Sequence, residues 1–274
     1  MNRLLNFFSW LLFPWKFFRL FALLLKEQFG LDFKKFFLAI FYTHRYLYGY
    51  FKYRRHYKGR MSINPCLTDH KSNAGDVASE YFINDLFVAQ KIFHNRPRKH
   101  VDIGSRLDGF VAHVASYREI EVFDIRPLSC GSKNINFKRV DMMKSLNGEY
   151  INYVDSISCI HALEHFGLGR YGDSISTEGF TNGLLNIIDM LKINGLLYLS
   201  VPVGIERVEF NSHRVLDPIK LVDFSRNYGL ILQEFYFIED GAVKKRINLT
   251  KGLKFVSAKR YTLGTFIFKK TFLL

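Results

Sequence analysis

The 274-residue sequence has only three cysteines, Cys66, Cys130 and Cys159, set far apart and without Cys-x-x-Cys spacing. An odd, scattered set excludes a disulfide framework and a zinc ribbon, and fits a reducing cytoplasm. Long uncharged apolar runs are also missing. A spanning helix needs about 20 such residues, and the one candidate window is broken by Pro14, Lys16 and Arg19. With Lys26 also in the way and no small-residue cleavage site following, a cleaved signal peptide is not expected. There is no internal repeat. Acidic residues are nearly absent from the first sixty positions, where Glu27 and Asp32 stand against 12 Lys and Arg. That segment carries +10 of the chain's net +14, which leaves +4 for the rest.

What the first sixty residues do have is aromatic: 20 of the chain's 45 Phe, Tyr and Trp. Pro14 can open a second short helix, and Asp32 can cap a third running through Phe36, Phe37, Ile40, Phe41 and His44. Rings with interleaved Lys and Arg suit an anionic membrane surface, lying on it and not across it, as a peripheral protein on the inner face. Two alternatives stand beside that reading: these helices pack on the remainder of the chain, or they form the interface of a homodimer. Stacking on single-stranded nucleic acid ranks below both, because no recognisable binding module accompanies Tyr50-Phe-Lys-Tyr-Arg-Arg-His-Tyr57. The expected division is therefore residues 1–60, basic and helical, and residues 61–274, one globular domain.

Beyond residue 75 the chain alternates between apolar runs and helical spacing. Strands are predicted at His100–Ile103, Glu121–Phe123, Ile135–Lys138, Ser156–Ile160, Gly195–Val201, Leu230–Phe237 and Tyr261–Phe268, with helices at Asp76–Phe93, Phe110–Ser116, Gly179–Leu191 and Pro218–Tyr228. Seven strands with helices between them make an α/β, doubly wound sheet. The run His100-Val-Asp-Ile-Gly-Ser-Arg-Leu-Asp-Gly-Phe110 puts Asp102 and Gly104 at a strand-to-helix turn, where backbone without a side chain can approach a ligand. It lacks the middle glycine of G-x-G-x-x-G. Asp124 ends the next strand, where a nucleotide-binding βαβ unit holds ribose hydroxyls; Asp141 and His161 end the third and fourth. Ligands bind at the carboxyl ends of such strands, so these side chains should share one crevice.

This order, followed by His161-Ala-Leu-Glu-His165 and Leu191-Lys-Ile-Asn-Gly-Leu-Leu-Tyr-Leu-Ser-Val-Pro202, resembles the class I methyltransferases that use S-adenosylmethionine, with their Rossmann-like seven-stranded sheet. More narrowly, Tyr81-Phe-x-x-Asp85, His-Val-Asp-Ile-Gly-Ser105, Asp-Gly-Phe-Val-Ala-His113, Asp-Ile-Arg-Pro127, the run from His161 to Asp173, and Phe-Asn-Ser-His-Arg214 look like the family called domain of unknown function 268, over about residues 62–215. The resemblance implies that Asp102, Gly104 and Ser105 border the methionine part of the cofactor, that Asp124 binds its ribose, and that Asp141 meets the adenine amino group. Ser105-Arg106-Leu107 departs from the methyltransferase pattern, in which further glycine is usual.

His161-x-x-Glu164-His165 also matches an inverted zinc-protease signature, but that needs a helix and here the motif follows a buried strand, so no metal is assigned. Either the histidines are structural, bonding neighbouring loops, or His161 or His165 is a general base oriented by Glu164. His213, a further catalytic candidate, and Arg214 can reach the same mouth and hold an anionic or polyhydroxylated acceptor, while Arg170 and Tyr171, also expected at the substrate, form with Asp173 part of a lid in a glycine-bearing loop. The expected activity is methyl transfer from S-adenosylmethionine to an oxygen of a sugar or lipid-linked glycan at the cytoplasmic membrane surface. The rival is a non-catalytic nucleotide-binding or scaffolding protein of the same fold in envelope polysaccharide assembly.

Overall fold

A computed structural model describes residues 21–72, 75, 77, 79–128, 131–245 and 248–272. The chain forms two compact units that divide between Gly75 and Asp76, fifteen residues beyond the boundary expected from composition. Pro14 and the helix assigned to it, Asp76, and Cys130 lie outside the described residues.

In the first unit residues 21–29 are helical. Gly30 ends that helix at φ +70°, where its N–H returns to the Lys26 carbonyl at 3.0 Å and Leu31 N–H to that of Leu25 at 3.1 Å; glycine takes this left-handed end without steric cost. Asp32 then caps α1 (Phe33–His56), accepting from Lys35 N–H at 3.0 Å. The expected cap is thus present, and the helix it starts runs a further twelve residues past His44. Arg54, Arg55 and His56 fill the last turn, where cations complement the exposed carbonyls. No residue of α1 is buried. Among the described residues no helix is long and apolar enough to cross a membrane.

The second unit begins with α2 (Glu80–Asn95), capped by the Ser79 hydroxyl, and continues into β1 (His100–Ile103). One π turn (Leu107–Val111) and the short α3 (Ala112–Ala115) replace the single helix predicted there, because Gly109 at φ −123°, ψ −105° breaks the spiral. Next come β2 (Ile120–Asp124), β3 (Ile135–Arg139), β4 (Val154–Ile160), α4 (Gly179–Met190) and β5 (Leu191–Val203). A hairpin of β6 (Arg207–Glu209) and β7 (His213–Val215) precedes α5 (Pro218–Asn227), β8 (Leu230–Glu239), β9 (Ala242–Lys244), α6 (Leu249–Ser257) and β10 (Thr262–Lys270). All seven predicted strands are present. The hairpin, β9 and α6 were not predicted: three-residue strands are too short to show a period of two.

The main sheet runs β3-β2-β1-β4-β5-β10-β8-β9, with β1 to β5 parallel and β10 antiparallel between β5 and β8. Alternation puts Val101, Ile103 and Phe123 on one face with Leu184, Ile187, Leu221 and Val256 of α4, α5 and α6. Ile120 and Val122 go to the other face with Val88, Ala89 and Ile92 of α2. The chain leaves β1 in one direction and resumes at β4 in the other, so the order reverses between them. Crossovers diverge at such a point and open a crevice at the carboxyl ends of the strands.

Candidate functional site

Beneath that crevice lies a closed polar ladder. The buried Asp102 carboxylate accepts from the Ser105 hydroxyl and the Ser158 hydroxyl, each at 2.6 Å, and from Ser105 N–H at 3.0 Å. Ser105 Oγ accepts in turn from Ile160 N–H at 3.0 Å, and His100 spans Ser156 and Ser158. Burial pushes Asp102 up to about 6 and His100 down to about 3. Asp102 and Ser105 therefore brace the turn from below and stand behind the wall they were expected to line. Gly104 is on the wall, at φ +70°, and a Cβ there would sit 3.0 Å from Ala162 Cβ. Only glycine keeps the turn this close to the β4 side.

The crevice is a cavity of about 260 Å³ whose wall includes Gly104, Asp124, Asp141, His161, His165, Arg170 and Tyr171. Seven residues from the ends of four successive strands and the connections after them thus meet in one place. Ile125, Val140, Met142 and Met143 add an apolar stretch beside Asp141. Asp141 Oδ1 accepts from Met143 N–H at 3.0 Å, and Lys144 lies 3.5 Å from Oδ2. Asp124 is clasped by a residue the sequence reading did not single out. Arg126 Nε reaches its two oxygens at 3.0 and 3.1 Å, Nη2 binds Oδ2 closely, and the same nitrogen reaches the Gly104 carbonyl at 3.2 Å. The Arg126 guanidinium lies 4.7 Å from the Tyr171 ring centre. An Asp-x-Arg spacing at a strand end was the available signal.

His161 has φ +56°, a costly conformation for a side-chain-bearing residue. Its N–H is held by the Ser200 carbonyl at 3.0 Å, and its ring lies 4.4 Å from that of Tyr81. Asn84 Nδ2 stands 3.4 Å from His161 Nε2 and donates to Ser200 Oγ at 3.1 Å, while Asn84 Oδ1 accepts from Thr265 Oγ1 at 2.5 Å. An amide nitrogen only donates, so this contact favours Nε2 as acceptor and the ring proton on Nδ1. His165 has the complementary arrangement in one respect. Its Nδ1 pairs with the Ser212 carbonyl at 2.6 Å and so carries the proton, which leaves Nε2 as a lone pair 3.9 Å from Glu164 Oε1. Burial first, and then the charges of Arg170, His213 and Arg126, hold His165 down to about 4. Burial, with His165 and Arg106, holds His161 to about 3. Both rings are neutral at pH 7.

Glu164 is fully buried, with Oε2 lacking a hydrogen-bond partner, and burial pushes it up to about 8, so it is protonated at neutral pH. Leu163–His165 is one 3-10 turn, not the helix a zinc-protease signature needs. The loop beyond is pinned by Asp173, which accepts from Gly167, Gly169 and Tyr171 N–H at 2.8 to 3.2 Å. Arg170 donates to the Ser212 carbonyl at 3.1 Å and forms no ion pair among the described residues. His213 and Arg214 differ from expectation. His213 turns to Glu209 at 3.5 Å and is not on the cavity wall; Arg214 donates to the Phe166 and Glu164 carbonyls at 2.6 and 3.3 Å. Arg214 braces the loop and is not on the cavity wall.

A mostly parallel, doubly wound sheet with an antiparallel β10, and a crevice carrying acids at the ends of β2 and β3, define a Rossmann-like α/β fold. The chain belongs to the family described as "Caenorhabditis protein of unknown function, DUF268", which residues 132–271 match. No curated protein is found to match it. It is similar to the 1,6-didemethyltoxoflavin-N1-methyltransferase of Burkholderia thailandensis, solved with S-adenosylhomocysteine, at 14% identity over 72% of this chain and 82% of that one, TM-score 0.49. A Clostridium acetobutylicum S-adenosylmethionine-dependent methyltransferase gives 10% identity, 71% and 93% coverage and TM-score 0.48. The N-methyltransferase NodS of Bradyrhizobium japonicum, in complex with S-adenosylhomocysteine, gives 11%, 72% and 93%, and 0.48.

Proposed function

We propose that this protein is an S-adenosylmethionine-dependent O-methyltransferase acting on a sugar or lipid-linked glycan at the cytoplasmic face of a membrane. The observation that carries it is the meeting of Gly104, Asp124, Asp141 and two neutral histidines in one crevice at the switch point of the sheet. The residues fit the cofactor. Gly104 offers backbone with no Cβ in the way, Asp124 on the cavity wall would take the ribose hydroxyls, and Ile125, Val140 and Met142 beside Asp141 would take the purine. The bound cofactor supplies the methyl group. His165 then has the geometry of the base: its Nδ1–H is committed to Ser212, and the Nε2 lone pair is open to a hydroxyl proton. Arg170 and Tyr171 hold the acceptor. An acceptor with an anionic group would offset the Arg170 charge, remove one of the causes that hold His165 down, and so strengthen the base.

The exposed aromatic face of α1 and the basic residues at its end support membrane attachment through residues 1–60. One observation favours the non-catalytic rival: Arg126 occupies the carboxylate that ribose would use. Calorimetric titration with S-adenosylhomocysteine separates the two. Binding is expected, and Asp124→Ala should weaken it by about 2–3 kcal/mol; absence of heat at millimolar ligand would sink the methyltransferase reading. His165→Ala should lower turnover by roughly 10²–10⁴ with cofactor affinity nearly unchanged, because proton removal matters only in the transition state. Wild-type turnover in that variant would remove His165 from the mechanism.

A further inference from the structure

Asp85 has no role in the scheme above, yet it is a carboxyl group 5% exposed, behind His161 of the crevice wall. Tyr81, Asn84 and Asp85 lie on one side of α2, three and four residues apart, and all three point at His161. Asp85 Oδ1 stands 3.9 Å from His161 Nε2 and has no hydrogen-bond partner. The other oxygen lies against the turn after β1, 2.7 Å from where a Cβ on Gly109 would be, and the Phe110 N–H contributes to it. A buried acceptor without a partner destabilises a fold, so one left beside an imidazole is a poor choice for stability alone.

We propose that Asp85 is the positioning residue that sets which nitrogen of His161 carries the proton, and thereby whether His161 offers the crevice a donor or an acceptor. When Asp85 is ionised it draws the imidazole proton onto Nε2, and Nδ1 is left with a lone pair. When Asp85 is protonated, its O–H turns to Nε2, and the ring proton stays on Nδ1, the arrangement that the Asn84 amide also supports. As the pH rises the Asp85 proton passes to Nε2 while Nδ1 gives up its own to water, so the pair loses one proton to solvent and regains it when the pH falls.

The charged and titratable groups around Asp85 come from every neighbouring element: Asp102 from β1, Arg106 and Asp108 from the turn after it, Tyr81 from α2 itself, and His161 and, behind it, His165 from the loop after β4. Burial, aided by Asp102 and opposed by Arg106, raises the Asp85 carboxyl to about 7. Both states are then within reach near neutrality. A fixed structural carboxylate would be held to one.

The test uses the full chain, without cofactor, labelled with nitrogen-15 at histidine. Two-bond nitrogen–proton correlations report the His161 tautomer, with His161→Gln identifying its signals. In the wild type the Nδ1–H form should dominate at pH 5.5 and the Nε2–H form at pH 8.5, the population ratio changing at least tenfold with a midpoint near that of the Asp85 side-chain carbon-13 signal. In Asp85→Asn the ratio should be independent of pH. A wild-type tautomer that does not change between pH 5.5 and 8.5 overturns the proposal, as does an Asp85→Asn variant that still titrates like the wild type. If Asp85→Asn fails to fold, the wild-type titration of the two signals decides alone. None of these readouts depends on S-adenosylmethionine, so a failure here is distinct from a failure of the methyltransferase reading.

Discussion

The phenylalanines of the sheet core and those of α1 behave in opposite ways. In the second unit, Phe110, Phe123 and Phe266 are wholly buried; in α1 of the first, Phe36, Phe37 and Phe41 are 58%, 66% and 63% exposed. The same side chain is core in one place and surface in the other. Fully burying one contributes about 1.5–3 kcal/mol, so the second unit's aromatic residues stabilise its own fold, while those of α1 leave most of that contribution to whatever covers them. A single-chain core explains the sheet. It does not explain α1.

The contrast is sharpest in the core. Phe123→Ala, under the crevice and against Tyr150, should cost about 3–5 kcal/mol, read as a shift in the denaturant midpoint; a change below 1 kcal/mol would mean that the second unit is packed no better than the first. Next in size is Glu164→Gln. The Glu164 carboxyl is raised in the fold, so the unfolded chain ionises first, and the wild type loses stability as pH climbs from 4.5 to about 8 and stays lower above that. The variant does not ionise and should gain on the order of 2–4 kcal/mol over the wild type by pH 9, with no gap at pH 4. Equal stabilities at pH 9 would show that the carboxyl is solvated. Smallest is the effect of Phe37→Ser with Phe41→Ser. Stability should move by no more than about 0.5 kcal/mol, while pelleting with acidic liposomes weakens. A large loss of stability would break the comparison, since these rings would then be core.

What could be read in the sequence is what lies along one strand or one turn. Gly104, Asp124, Asp141 and His161 each end a local apolar run, and the rule that ligands sit at strand ends brought them together correctly. Parity and pairing were not legible. Asp102 is one residue from the strand end, yet its partners, Ser105 and Ser158, lie below the wall, and Ser158 is fifty-six residues away on β4. Asp85 matters through its approach to His161, seventy-six residues away, which no single segment contains, whereas the Arg126 clasp on Asp124 is local and was open to reading as Asp-x-Arg. His213 and Arg214 were misplaced because they belong to a hairpin of three-residue strands, whose direction is set by the loop it leans on.

The Ser212 carbonyl accepts from His165 Nδ1 and from Arg170, and so fixes the proposed base and the proposed acceptor-binding cation from one point. Because that point is a main-chain oxygen, the β6–β7 hairpin works as a gauge whose setting is its length. Any residue with a carbonyl can stand at 212. Adding or removing one residue between Arg207 and Val215 would detune two groups at once, so the hairpin is open to changes of spelling and closed to changes of count.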